Sequence, residues 1–116
     1  MSIKTLFLKK NDLQPYYYAQ AKDSDGNAIS LSGATIYCTM KSLAGTVKID
    51  RQTTGISITD AAEGEFEYRW QSGDTDTTGP YTIEFEINPS SGGKFTIPAD
   101  PADKAIVSIR ASLDAT

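Results

Sequence analysis

Asp74 and Asp76, two residues apart in "GDTDTTG" (73–79), are the first side chains here whose type and spacing could do chemistry. Carboxylates so placed suit a calcium loop, half of an acid–base pair, or a turn in which they accept backbone amides. Glu65 with Glu67, and Glu84 with Glu86, have the same spacing, which puts both members of a pair on one face of a strand. The remaining inventory is thin. None of the 116 residues is histidine, which removes the commonest general base, the usual zinc ligand and the serine–histidine triad. The one cysteine, Cys38, cannot form an internal disulfide or a zinc pair, and it alternates with apolar neighbours as a small buried hydrophobe does.

These residues must be positioned by strands. "PYTIEFEI" sets Tyr81, Ile83, Phe85 and Ile87 on one face against Thr82, Glu84, Glu86 and Asn88, the period of two that marks a half-buried strand. "EFEYRW" repeats it with Phe66, Tyr68 and Trp70 inward, and "ATIYCTMK" with Ala34, Ile36, Cys38 and Met40. "GISIT" aligns Ile56 with Ile58, and "AIVSIR" aligns Ala105, Val107 and Ile109. "TLFLK" and "PYYYAQAK" read as strands of open register, because three consecutive tyrosines hide which face is inward. No window has a capped helical pattern. Turns follow at "DSDGN", "SGA", "LAGT", "AEGE" and "SSGGK", where Gly, Asn or Asp can take a positive φ. Seven or eight short strands with such turns and no helix predict an all-β antiparallel sandwich or barrel. Its expected core is Trp70 at the centre, with Tyr68, Phe66, Phe85, Ile83, Ile36 and Ile58 around it.

The length suits a single domain over 1–116, with 1–10 as an exchangeable or assembly arm and 111–116 as a short tail. "IPADPADKA" (97–105) is the nearest approach to a linker, and its prolines suggest an edge crossing. A net charge of −4, with Lys9, Lys10 and Lys22 scattered, lacks the basic stripe of a nucleic-acid binder. No 18-residue apolar run suits a membrane span, so no membrane insertion is expected. "MSIKTLFLKKND" lacks the apolar stretch and cleavage site of a secretory signal, so synthesis in the cytoplasm with a retained N-terminus is expected.

In immunoglobulin strand order, "EFEYRW" falls near strand E and "PYTIEFEI" near strand F. Those strands lie in different sheets, so residues 71–80 must cross the end of the sandwich. Such a crossing in immunoglobulin domains carries a tyrosine bonded back to the upstream backbone, and Tyr81 is placed for that part. Asp74 and Asp76 then accept backbone amides, as in Asx-turns. Calcium binding at Asp74 and Asp76 is the competing reading, but the glycine and distal glutamate of an EF-hand loop are missing. The glutamate pairs, on opposite outer faces, cannot flank one glycosidic bond and read as solvated surface.

The succession "KDSDGNAISLSGATIYCTMKS", "AEGEFEYRWQSGDTDTTGPYTIEFEI" and "GGKFTIP" resembles the immunoglobulin-like N-terminal domain of phage baseplate upper proteins, and related small tailed-phage structural proteins. The matching pieces are Asp25-Gly26-Asn27, Leu31 to Thr35 with Lys41, Gly64 to Trp70, Gly73 to Tyr81, and Phe95 to Pro98. They span most of residues 13–110. The family domain usually heads a longer chain, whereas this one stops after "RASLDAT".

The resemblance implies a non-enzymatic virion component: a baseplate, tail, neck or capsid-surface connector or adhesion module. Its implied partners are other phage structural proteins in a symmetric assembly. No catalytic residue and no cofactor is assigned. Expected contact residues are Leu6, Phe7 and Leu8 in the arm, with Lys9 and Lys10 guarding against indiscriminate pairing, and Tyr16, Tyr18 and Tyr37. The alternative is a carbohydrate- or host-surface-binding module, because at least one residue of Tyr16 to Tyr18 must point outward and offer a ring to a surface glycan.

Overall fold

The computed structural model describes residues 3–98 and 104–113, and among them there is no helix. The alternating segments form strands β1 (Ile3–Lys9), β2 (Tyr17–Gln20), β3 (Thr35–Ser42), β4 (Val47–Gln52), β5 (Ile56–Asp60), β6 (Glu65–Tyr68), β7 (Gly79–Asn88), β8 (Phe95–Ile97) and β9 (Lys104–Arg110). A six-stranded sheet runs β1-β9-β7-β3-β4, with β8 also on β7, and a three-stranded sheet runs β2-β6-β5. β7 organises the larger sheet. Its start pairs with β9 and its end with β8 on one side, while β3 pairs along residues 81–88 on the other.

Two expectations need correction. There are nine strands among the described residues rather than seven or eight, because the alternation marked seven and revealed neither the short β8 nor β4, the longer of the two. It is an edge strand with Ile49 as its buried residue, and its register against β3 shifts near Met40, so no regular apolar period marks it. The sheet is also not purely antiparallel, since β1 lies parallel to β9. Parallel neighbours need a long connection, and nearly the whole domain separates these two strands. Residues 99–103 of the expected crossing at 97–105 and residues 114–116 of the tail at 111–116 lie outside the described residues.

Between the sheets, register converts alternation into a core. Ile36, Cys38 and Met40 of β3 stand opposite Ile87, Phe85 and Ile83 of β7, and all six are buried. Phe85 joins the layers. Its ring centroid lies 5.0 Å from that of Phe66, edge-on, and 5.5 Å from that of Tyr17, both in the smaller sheet. Burying such an aromatic contributes about 1.5–3 kcal/mol, plus a smaller gain from ring geometry. Trp70 is buried as well, but at one end of the core, edge-on to Tyr68 at 5.3 Å.

Ile58, expected in the core, is exposed. Its register partner Phe66 is buried, but β5 is the outer strand of the small sheet, so Ile58 has a neighbouring strand on one flank only. The arm is corrected too. β1 pairs with the chain's own β9, and Leu8, expected at an interface, is buried in the core with Leu6 packed against it. Of the three, Phe7 faces out and is 58% exposed, with the Arg110 guanidinium over its ring. In the "AEGE" turn a glycine is required: Gly64 has φ +70°, and a Cβ there would come within 2.7 Å of the Ala21 and Ile29 carbonyls.

Candidate functional site

β6 leaves the smaller sheet at Tyr68 and β7 enters the larger one at Gly79, so residues 69–78 cross the end of the sandwich. Asp74 is buried and holds this crossing together. One carboxylate oxygen accepts the Tyr68 hydroxyl at 2.6 Å and the Gln71 amide at 2.8 Å, while the Gln52 side chain donates to the same hydroxyl at 2.8 Å. Thr75, also buried, donates to the Asp12 carbonyl at 2.9 Å and ties the loop to the segment after β1. The Tyr81 hydroxyl donates to the Thr77 carbonyl at 2.9 Å, four residues upstream.

Asp76 differs from expectation. It is exposed and pairs with Lys48 of β4, and it also accepts the Thr77 hydroxyl. A cation binds a carboxylate more strongly than a neutral amide does, so the ammonium takes the place expected for the backbone. The Lys48 hydrogen bond, then that of Thr77, holds the Asp76 carboxyl below its usual range. The two aspartates therefore turn to separate partners. Among the described residues, no three His, Cys, Asp or Glu side chains gather as a metal-holding group.

Tyr81→Phe keeps the ring and removes one hydrogen bond, so it is expected to lower unfolding free energy by ~0.5–1.5 kcal/mol with an unchanged circular dichroism spectrum. Chelator is expected to leave the melting temperature unchanged. A calcium-dependent rise that disappears in Asp74→Asn would instead establish a metal loop.

The outer faces carry the other carboxylates. Glu84 and Glu86 lie on the outside of the larger sheet, and Glu65 and Glu67 on the outside of the smaller. Glu65 and Glu84 are exposed, but Glu67, expected to be solvated, is only 5% exposed. Cross-strand register explains this, because Tyr18 and Ser57 flank it and the Arg69 guanidinium donates to it. The hydrogen bond to Glu67, then its charge, raises the Arg69 pKa, with Tyr16 and Tyr18 contributing. Arg69 also lies over Tyr16, 5.4 Å from the ring centroid.

A second group occupies the opposite face. Arg51 donates to both oxygens of Glu86, at 2.8 and 3.3 Å, and sits 4.2 Å over the Tyr37 ring. These hydrogen bonds, the Arg51 ones foremost, pull the Glu86 carboxyl down to about 2. Sequence reasoning missed both arginines. The opposite charges of Glu67 and Arg69 at i, i+2 were a visible signal for one pair; the other depends on a register that no local pattern contains.

Of the expected contact tyrosines, Tyr18 is exposed, while Tyr16 and Tyr37 are half-buried under their arginines. Tyr17 points inward. Burial pushes its hydroxyl up to about 12, with Cys38 adding to the shift. Burial, then donation to Asp74, raises Tyr68, and burial, then the Asp74 charge, raises the Cys38 thiol.

All three groups keep their protons in the folded chain at pH values where the unfolded chain loses them. The stability this confers is fully present below the ordinary values of 9.0 for the thiol and 10.0 for the phenols. It is lost as pH rises through that range toward the folded values. The urea midpoint is therefore expected to fall from about pH 9 upward, and a flat profile to about pH 11 would contradict the assignment. Compared with known proteins, the chain matches no family model and no curated protein.

Proposed function

We propose that this chain is an immunoglobulin-like, non-enzymatic building block of a tailed-phage or prophage particle, acting as a connector or adhesion unit among other virion proteins. The observation that carries the reading is the Tyr81–Thr77 hydrogen bond in a loop passing between sheets. It gives the "GDTDTTGPY" portion of the phage-domain resemblance the structural part that a tyrosine corner has in immunoglobulin-like domains. The open edges support an associating role. β1 and β4 end the larger sheet, with Phe7 58% and Val47 48% exposed there. Natural sheets cover such edges or pair them with partners, and symmetric repetition strengthens a weak contact.

The test is mass spectrometry of purified particles. The full-length chain is expected among the virion proteins, and its absence would refute the proposal. Phe7→Glu probes the edge. Because this side chain is largely exposed, the substitution is expected to change stability by only about 0.5 kcal/mol while reducing incorporation. Deleting residues 1–10 is the poorer probe, since it removes buried Leu8 along with the edge.

A further inference from the structure

We infer that the free edge of β1 takes up an extended acidic segment of a partner protein as an added antiparallel strand, with its carboxylates at Lys9 and Arg110. This edge is open in a way the others are not. β1 holds seven residues in unbroken register with β9. By contrast, β4 shifts register against β3 and has Arg51 at φ 41°, and β5 shifts register between Ile58 and Asp60. β2 and β8 have only four and three residues. Bulges and shortness are the usual protection of a sheet edge, and β1 has neither.

Backbone direction identifies the groups on offer. Lys10 donates to the Arg110 carbonyl at 2.7 Å, so the amides of even-numbered residues face β9 and those of Thr5, Phe7 and Lys9 face away. Lys9 is satisfied within the chain: its N–H donates to the Asp12 carboxylate at 3.4 Å, and its carbonyl accepts the Asp12 amide at 3.0 Å. Thr5 and Phe7 have no strand on that side among the described residues. Their N–H and C=O groups stand at the strand repeat, which another extended backbone matches along its length, and this makes the partner a polypeptide. Antiparallel addition is the more stable of the two directions.

Charge narrows the partner. Lys9 and Arg110 are register neighbours and both exposed, and Lys10 follows. In a chain of net charge −4, none of the three is in an ion pair among the described residues. With Phe7, Leu8 and Asp12, Lys9 and Arg110 line an open depression of about 310 Å³ at this end of the edge. A carboxylate entering it gains charge-assisted hydrogen bonds, whereas a basic strand is repelled. A second copy of β1 is the poorer occupant, because Ile3–Lys9 contains lysines and no acid. The inference rests on the associating role proposed above and gives the chemistry of the partner.

The experiment follows amide hydrogen exchange by NMR in the isolated, isotope-labelled chain. The probe is the peptide acetyl-DEEVTVTVT-amide, with acetyl-KKKVTVTVT-amide as its basic comparator. The acidic peptide is expected to bind with a dissociation constant on the order of 1 mM. At about 5 mM it is expected to slow exchange at Thr5 and Phe7 about fivefold, the slowing that a site about five-sixths filled allows. The basic peptide is expected to bind about tenfold more weakly or worse. Thr5→Pro removes an N–H that faces away from β9, a place where an edge strand tolerates proline, and is expected to abolish binding. The double variant Lys9→Glu, Arg110→Glu leaves the backbone intact and is expected to exchange the preference between the two peptides. The inference is overturned if the acidic peptide leaves Thr5 and Phe7 exchange unchanged, if the basic peptide binds as well, or if the double variant keeps the parent's preference. Binding undiminished in a folded Thr5→Pro chain would also overturn it. Protection that rises with chain concentration alone would give the edge to a second copy instead. None of these outcomes bears on whether particles contain the chain, so the virion reading stands or falls separately.

Discussion

Trp70→Ala is expected to lower the unfolding free energy by ~3–5 kcal/mol, the largest effect of any single substitution considered for this chain. The indole is 3% exposed, meets Tyr68 edge-on, and donates its N–H to the Pro15 carbonyl at 2.9 Å. Truncation would thus open a cavity at the end of the core and release the segment that leads into β2. Against a total of roughly 5–15 kcal/mol for a domain, much of the stability would go. Trp70→Phe separates the two contributions. It keeps an aromatic ring beside Tyr68 but loses the hydrogen bond and part of the volume, so a smaller loss of about 1–2 kcal/mol is expected. Urea unfolding followed by circular dichroism measures both. A Trp70→Ala protein within about 1 kcal/mol of the parent would show that the indole does not close this end of the core.

Asp74→Ala is expected to cost about 2–4 kcal/mol, because it strands two donors at once. The Tyr68 hydroxyl and the Gln71 amide both point at one buried carboxylate oxygen, at 2.6 and 2.8 Å. Asp74→Asn retains an acceptor oxygen and is expected to cost less. The Tyr68 contribution is isolated by a double-mutant cycle with Tyr68→Phe, for which a coupling of about 1–2 kcal/mol is expected. Additive effects within about 0.3 kcal/mol would mean that the hydroxyl and the carboxylate do not support each other. Because Asp74 also anchors the path between the sheets, its loss is expected to increase hydrogen exchange in residues 71–78 first.

What the amino-acid sequence determined by itself was the set of inward faces on the interior strands. Tyr81, Ile83, Phe85 and Ile87 alternate strictly, and so do Ile36, Cys38 and Met40; all seven are buried. Alternation is a local property, because successive side chains of any strand point to opposite faces whatever strand lies beside it. Turn chemistry is local in the same way, as the steric demand at Gly64 illustrates. Tertiary structure alone decided the rest. Ile58 has the same alternation as Phe66 but lies on an outer strand, so it is exposed. Leu8 has the composition of a loose arm but is buried because β1 found β9, nearly a hundred residues away, as a parallel neighbour. The three tyrosines carried no internal register, and the pairing of β2 with β6 set Tyr17 inward and Tyr18 across from Glu67. Asp76 turned to Lys48, and Glu86 to Arg51, only because β4 took its place beside β3. Faces follow from neighbouring residues along the chain, whereas edges, registers and charge partners follow from which distant strands pair.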